Sequence, residues 1–283
     1  MLWTPANQFQ TTIDNFGATI TNGGLGAGLT ANASANVKGT AVALVAGGSV
    51  TEDVYGIMIQ FCGGDASATV RQYLTDLLID PAGGTSYTTT LIANLVANSP
   101  NLECGGFQYY FPLYVKSGVS FAGATQCSTG GATLRMAIKL FCKPSRPDLV
   151  KTGSFVRTIG ANTAGSNGTA ITPGTNARGT YTSLGATADD LWWWQVGHAI
   201  NDTTQGTQGY LLDMAVGDAS NKYPVIENVP GISGNTSEKA GKAADGGLPP
   251  IWFAPSGVTL YARASCIGTP DSSFSMVGYG LGG

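Results

Sequence analysis

FPLYVKSGVSFAGATQC, residues 111–127, is the stretch on which the fold turns, because a second version of it, IWFAPSGVTLYARASC, stands at 251–266. Setting Ser117 and Gly118 on Ser256 and Gly257 also puts Cys127 on Cys266, all at a spacing of 139 residues. Each version has an aromatic-rich apolar run, a Ser-Gly turn, and then an alternating run. In that last run Val119 and Phe121, or Val258 and Leu260, share one face. A strand, a tight turn and a second strand is the physical reading.

Working outward, further pairs keep the same order. Asp53 matches Asp190 and Tyr73 matches Tyr210 at a spacing of 137, Asn94 matches Asn228 at 134, and Gly39 matches Gly179 at 140. The largest change of spacing falls in residues 234–247, polar and Gly-rich, which suits an exposed loop that tolerates shortening. A repeat of about 140 residues is far longer than a solenoid or propeller unit, so a whole domain is duplicated.

Within the first copy, strands are expected at 40–45, 54–62, 73–80, 86–97, 107–116, 119–124 and 133–142. In the second they are expected at 191–196, 210–216, 225–229, 249–253, 258–266 and 273–281. Short strands with a turn signal roughly every ten residues point to a sandwich. The fold class is all-β: two tandem antiparallel β-sandwich (jelly-roll-like) domains related by internal duplication. The expected division is 1–146 for an N-terminal arm plus the first copy and 147–283 for the second, with the prolines of 143–148 marking an extended linker.

Residues 1–38 carry no sustained pattern and read as an extended or flexible lead-in. Residues 162–177 repeat that lead-in. Trp3 in such an arm is either an anchor on a neighbouring subunit, since aromatics dominate interface cores, or a cover for its own domain's edge.

Gly, 41 of 283 residues, is about twice its usual abundance, and charged residues are 11% against roughly 25% typically. A surface this neutral is available to pack against other chains. A net charge of −3 without a Lys/Arg cluster gives no footprint for nucleic acid. No apolar run is long enough to span a bilayer, and residues 1–6 lack the features of a signal peptide. Five cysteines make no disulfide framework and read mostly as buried small hydrophobes.

Candidate sites are few. Gly26-Ala-Gly28 and Gly278-Tyr-Gly280 begin formal G-x-G-x-x-G/A matches. Neither is followed by the helix that a dinucleotide site requires, so no cofactor is expected. His198 is the only histidine and has neither a nucleophile elbow nor a metal-ligand spacing beside it. It reads as a structural strand residue. The pairs Glu52/Asp53 and Asp189/Asp190 recur ahead of matching strands, as do Asp76 and Asp213. Turn and hydrogen-bonding roles stand first, with calcium ligation or paired-carboxylate catalysis as alternatives. Trp192, Trp193 and Trp194 should alternate, with Trp192 and Trp194 on one face and Trp193 on the other. One face must pack inward, as core or inter-domain contact; the other could be a sugar platform or a subunit contact.

Residues 210–221 (YLLDMAVGDASN), then 223–229 (YPVIENV), then 255–265 (PSGVTLYARAS) resemble a recurrent β-sandwich module of tailed-bacteriophage structural proteins. Residues 77–84, 91–95 and 111–118 repeat the outline more loosely. The resemblance implies a non-enzymatic virion component, made in the host cytoplasm, most simply a capsid decoration or cement protein. Its partners would be the major capsid protein or tail proteins, with homo-oligomer formation and no nucleic acid or membrane. The alternative is a tail- or fibre-associated protein that binds a host glycan.

Overall fold

The two Ser-Gly turns are the same turn. Gly118 and Gly257 have φ of 83° and 86°, a region open to glycine without steric cost. Gly118 N–H donates to Val50 O at 2.7 Å, and Gly257 N–H donates to Thr187 O at 2.8 Å. Just before each turn the chain makes an isolated antiparallel bridge, Val54 with Val115 and Leu191 with Ala254. The structure, a computed structural model, describes residues 9–15, 26–64, 71–99, 107–145, 150–200, 209–232, 239–242, 253–268 and 274–283.

The first copy supplies β1 (Phe9–Asp14), β2 (Ala27–Thr30), β3 (Val42–Val45), β4 (Val54–Gly64) and β5 (Arg71–Asp80). It continues with β6 (Thr89–Ser99), β7 (Phe107–Phe111), β8 (Ser120–Cys127) and β9 (Thr133–Pro144). The second copy begins with β10 (Phe155–Ile159), β11 (Ala161–Asn162), β12 (Asn167–Ala170), β13 (Gly174–Thr175) and β14 (Thr182–Ala186). It ends with β15 (Trp193–Ile200), β16 (Gly209–Gly217), β17 (Lys222–Ile232), β18 (Lys239–Lys242), β19 (Thr259–Cys266) and β20 (Ser275–Gly282).

Strand order identifies the architecture. One sheet of the first copy runs β1-β9-β4-β7 with β2 also on β9, and the other runs β3-β8-β5-β6. In the second copy β10 and β12 lie on β20, followed by β15 and β18, while the facing sheet places β14 on β19, then β16 and β17. These are two jelly rolls, each a pair of facing sheets, of five and four strands in the first copy and of six and five in the second. The tandem, duplicated sandwich expected from the sequence is the fold observed.

Four local expectations are corrected. The lead-in to each copy is part of a sheet: β1 pairs with β9 from Phe9↔Pro144 to Asp14↔Lys139, and β10 pairs with β20. Phe9 is buried against Phe141, ring centroids 5.4 Å apart, so removing residues 1–12 would strip most of a sheet strand. Residues 162–177 hold β12 and β13 instead of a plain loop. The insertion at 234–247 contains β18, which pairs with β15 from Gly197↔Lys242 to Ile200↔Lys239. Residues 112–116 are not strand: β7 stops at Phe111. The strand expected at 249–253 falls almost wholly outside the described residues.

The two cores meet in a buried seam. Alternate residues of β20 face opposite ways: Met276 joins the second copy's core, while Val277, Tyr279 and Leu281 join the first copy's. All eight residues of β20 are buried in consequence. The sheet that holds β20 lies against β6 through β10, β15 and β18, and β6 is an edge strand whose free backbone groups would otherwise invite pairing with another chain. The second copy caps them with side chains. Thr158 Oγ1 donates to Ala93 O at 2.5 Å, and Tyr279 Oη donates to Asn94 O at 2.9 Å while accepting from Val96 N–H at 2.7 Å. Tyr109 Oη completes the set by donating to Val96 O at 2.8 Å. Its ring meets that of Tyr279 edge to face, 5.5 Å between centroids. Gln195 Nε2 donates to Tyr110 O, and Gln126 Nε2 reaches Thr163 O at 2.8 Å.

Candidate binding surface

The tryptophan triplet does not form a platform. Trp194, on β15, is fully buried in the second copy's core, opposite Gly280 on β20. A Cβ at Gly280 would stand 2.9 Å from the indole, so glycine is what lets the ring lie across the strand. This is the physical reason for the Gly278/Gly280 spacing. Trp193 points the other way, into the seam, 6.4 Å from the ring of Tyr110, and is 6% exposed. Neither can contact a sugar or another chain. Trp192 precedes the strand and packs against the seam cluster, not on Trp194's face as alternation predicts. Its ring carries Lys151 Nζ 4.1 Å above the centroid. Of the three, Trp192 alone reaches a surface groove. Trp3 lies outside the described residues.

The recurring carboxylates are structural acceptors. Asp53 Oδ1 accepts the N–H of Ser117 at 2.9 Å, and Asp190 Oδ1 that of Ser256 at 2.8 Å. Each holds the Ser-Gly turn. The Ser117 N–H, followed by the Tyr114 hydroxyl, keeps Asp53 below the usual carboxylate range. Asp76 and Asp213 sit at matching bulges in β5 and β16. Asp76 Oδ1 accepts the N–H of Asn94 at 2.7 Å, and Asp213 Oδ1 that of Asn228 at 2.8 Å. Both asparagines are left-handed, with φ of 56° and 59°, a conformation asparagine tolerates better than most residues. A cation completes each device. Lys38 Nζ lies 2.7 Å from Asp76, while Asp213 takes Arg263 Nε at 2.8 Å and Arg178 Nε at 3.1 Å. Lys38 and Arg178 are themselves a repeat pair, one residue before Gly39 and Gly179. Sequence comparison pairs them, but only the structure shows their partner.

Where the copies differ, a groove opens. In the first copy Tyr114 donates its hydroxyl to Asp53 Oδ2 at 2.8 Å and meets the ring of Tyr55 edge to face at 5.5 Å. The equivalent residues of the second copy are Phe253, Asp190 and Trp192. Phe253 has no hydroxyl, and among the described residues nothing bonds Asp190 Oδ2. Phe253 stands 61% exposed, against 41% for Tyr114. The result is a shallow groove of about 630 Å³ lined by Lys151, Phe155, Asp189, Asp190, Trp192 and Phe253, among others. Asp189 is tied to Arg157, which in turn lies over the ring of Phe155 at 4.7 Å. A second groove, about 530 Å³, lies at the far end of β16 and β19. Exposed Leu211 and Ile267 border it with Pro230.

Three thiols among the described residues, Cys127, Cys142 and Cys266, are buried. Burial pushes the Cys142 thiol up to about 11, helped by Glu52 and Asp53, so it is a poor nucleophile at neutral pH. Among the described residues no group of three His, Cys, Asp or Glu side chains could hold a metal ion.

His198 stacks on Phe274 with centroids 6.2 Å apart, and burial lowers its pKa from 6.5 to about 4. It is therefore neutral in the folded protein at pH 7. Below about pH 6.5 the unfolded chain binds a proton that the native state refuses, so stability is lost as pH falls from about 6.5 to 4. The expected loss is about 3 kcal/mol, read as a falling urea midpoint across that window. His198→Phe should flatten the profile there; an unchanged slope in the variant would assign the effect elsewhere.

No protein-family model matches the sequence, and no curated protein matches it. Among solved structures, the chain is similar to the N-terminal tandem CBM22 domains of Paenibacillus barcinonensis Xyn10C. The two share 12% identity and a TM-score of 0.30, covering 96% of this chain and 89% of that one. Strand order and the duplicated turn and bulge geometry define the two jelly rolls.

Proposed function

We propose that the chain is a non-enzymatic structural protein of a tailed-phage particle, bound to the capsid surface as a decoration or cement protein. The observation that carries this reading is the distribution of exposed apolar side chains. Among the described residues Leu211, Tyr223, Phe253 and Ile267 project from the second copy, Ile267 at 71% exposure, against Val37 and Tyr114 from the first. Leu211 and Tyr223 lie within the segments that resemble the phage module, and Phe253 and Ile267 flank the last of them. The first copy braces that surface through the seam, and the neutral exterior suits contact with other protein. Stable interfaces bury roughly 1,200–2,000 Å², and weaker contacts repeated on a lattice gain through avidity.

The test is attachment of purified protein to particles lacking it, followed by cosedimentation. Leu211→Asp with Ile267→Asp, both on exposed positions, should leave the melting temperature within a few degrees and reduce particle occupancy by at least about tenfold, equivalent to 1.4 kcal/mol. Full occupancy by the double variant, or turnover of a capsular polysaccharide by the wild type, would overturn the reading. A tail- or fibre-associated carbohydrate-binding protein is the second reading, favoured by the groove at Phe253.

A further inference from the structure

We propose that the groove between Trp192 and Phe253 is a binding site for a neutral saccharide, formed in the second copy alone by loss of one hydroxyl. The first copy shows the closed version of the same site. There Tyr114 occupies Oδ2 of Asp53 with its hydroxyl, and Tyr55 packs against its ring. At the equivalent positions Phe253 keeps the ring and lacks the hydroxyl, so among the described residues Asp190 Oδ2 is an unused acceptor, and Phe253 presents an exposed aromatic face.

A sugar ring has matching chemistry on its two aspects. Its C–H face packs on an aromatic ring, where apolar area is removed from water. Its hydroxyls donate strong hydrogen bonds to a carboxylate. Lys151, beside Trp192, supplies a donor to ring or hydroxyl oxygens. Asp189 is held by Arg157 and serves as wall. Uronic or sialic acids would set a second carboxylate against Asp190, so neutral hexoses are preferred. The inner oxygen of Asp190 stays on Ser256 N–H, which fixes the acceptor without needing the ligand.

This inference rests on the carbohydrate-binding reading and deepens it. The probes are cellotriose, maltotriose, mannotriose, galactotriose and, as the acidic control, sialyllactose, titrated calorimetrically into the full chain. At least one neutral trisaccharide should bind, and sialyllactose should not. Phe253→Ala should weaken binding about tenfold. Phe253→Tyr is the sharper variant, because it retains the stacking face and restores the hydroxyl that occupies Asp53 in the first copy. It should weaken binding comparably while leaving thermal stability the same or higher.

If the wild type binds none of these sugars, both the site and the carbohydrate-binding reading fail. If a sugar binds equally well to wild type and Phe253→Ala, or if Phe253→Tyr keeps full affinity, the site fails while the wider reading stands.

Discussion

Replacing Asp213 by alanine should destabilise the protein by about 3–5 kcal/mol, the range for breaking a buried ion pair by removing one partner. Asp213 is almost wholly buried and holds three groups at once: Arg263, Arg178 and the N–H of Asn228. Arginine cannot shed its proton to escape burial, so Arg263 is left charged and poorly solvated. The matching variant in the first copy, Asp76→Ala, should cost less, about 1.5–3 kcal/mol, the value of hydrogen bonds to a charged group. Lys38 is more forgiving because it can neutralise. Burial already lowers its pKa, against the pull of Asp76, and removal of Asp76 lowers it further. Below the unfolded lysine pKa of 10.5 the unfolded state then holds more protons than the native state, so stability rises with pH. Urea titrations from pH 7 to 10 should show the Asp76→Ala deficit shrinking and the Asp213→Ala deficit unchanged. Equal costs and parallel profiles would mean that the two devices differ less than their cations suggest.

The second large effect concerns the seam. Wild-type protein should unfold in one transition, with a denaturant slope appropriate to surface exposed from all 283 residues. Tyr279→Phe removes the hydroxyl shared by Asn94 O and Val96 N–H and should cost about 2 kcal/mol, the penalty for stranding buried polar groups. Tyr279→Ala also removes the ring packed on Tyr109 and Phe111, for about 3–5 kcal/mol by analogy with other large core truncations. Losing the cap on β6 should let the first copy open before the second, so calorimetry should resolve two transitions in this variant. Two transitions already present in the wild type would show that the seam does not couple the copies.

Much of this was legible in the sequence because the duplicated residues are those that fix the backbone. Ser117-Gly118 and Ser256-Gly257 make turns, Asp53 and Asp190 hold them, and Asn94 and Asn228 occupy left-handed positions beside the bulges. Each is costly to replace, so its spacing survives while the surrounding side chains drift. The strands overlooked were those whose place depends on backbone pairing. β1 reads FQTTID and buries only Phe9 outright, because it completes a sheet edge on β9 and adds only the half-buried Ile13 to the core. β18, KAGK, is too short and too poor in apolar residues for its sequence to signal a strand. The parity of Trp192 failed because the residue lies ahead of its strand. The candidate groove was hidden for another reason. Tyr114 and Phe253 align plainly, but the meaning of the missing hydroxyl depends on the carboxylate it would have reached.

The outer face of β20 has a counterpart that lacks its chemistry. Gln195 sits opposite Tyr279 as Met58 sits opposite Lys139, so Lys139 occupies on the first copy the position from which Tyr279 caps β6. A head-to-tail contact that could repeat would build an open filament. The first copy meets a neighbour with an ammonium where a phenol is needed, and a charge cannot enter a dry aromatic seam without partners. The chemistry that joins the two copies therefore belongs to β20 and is missing from β9, its counterpart on the first copy.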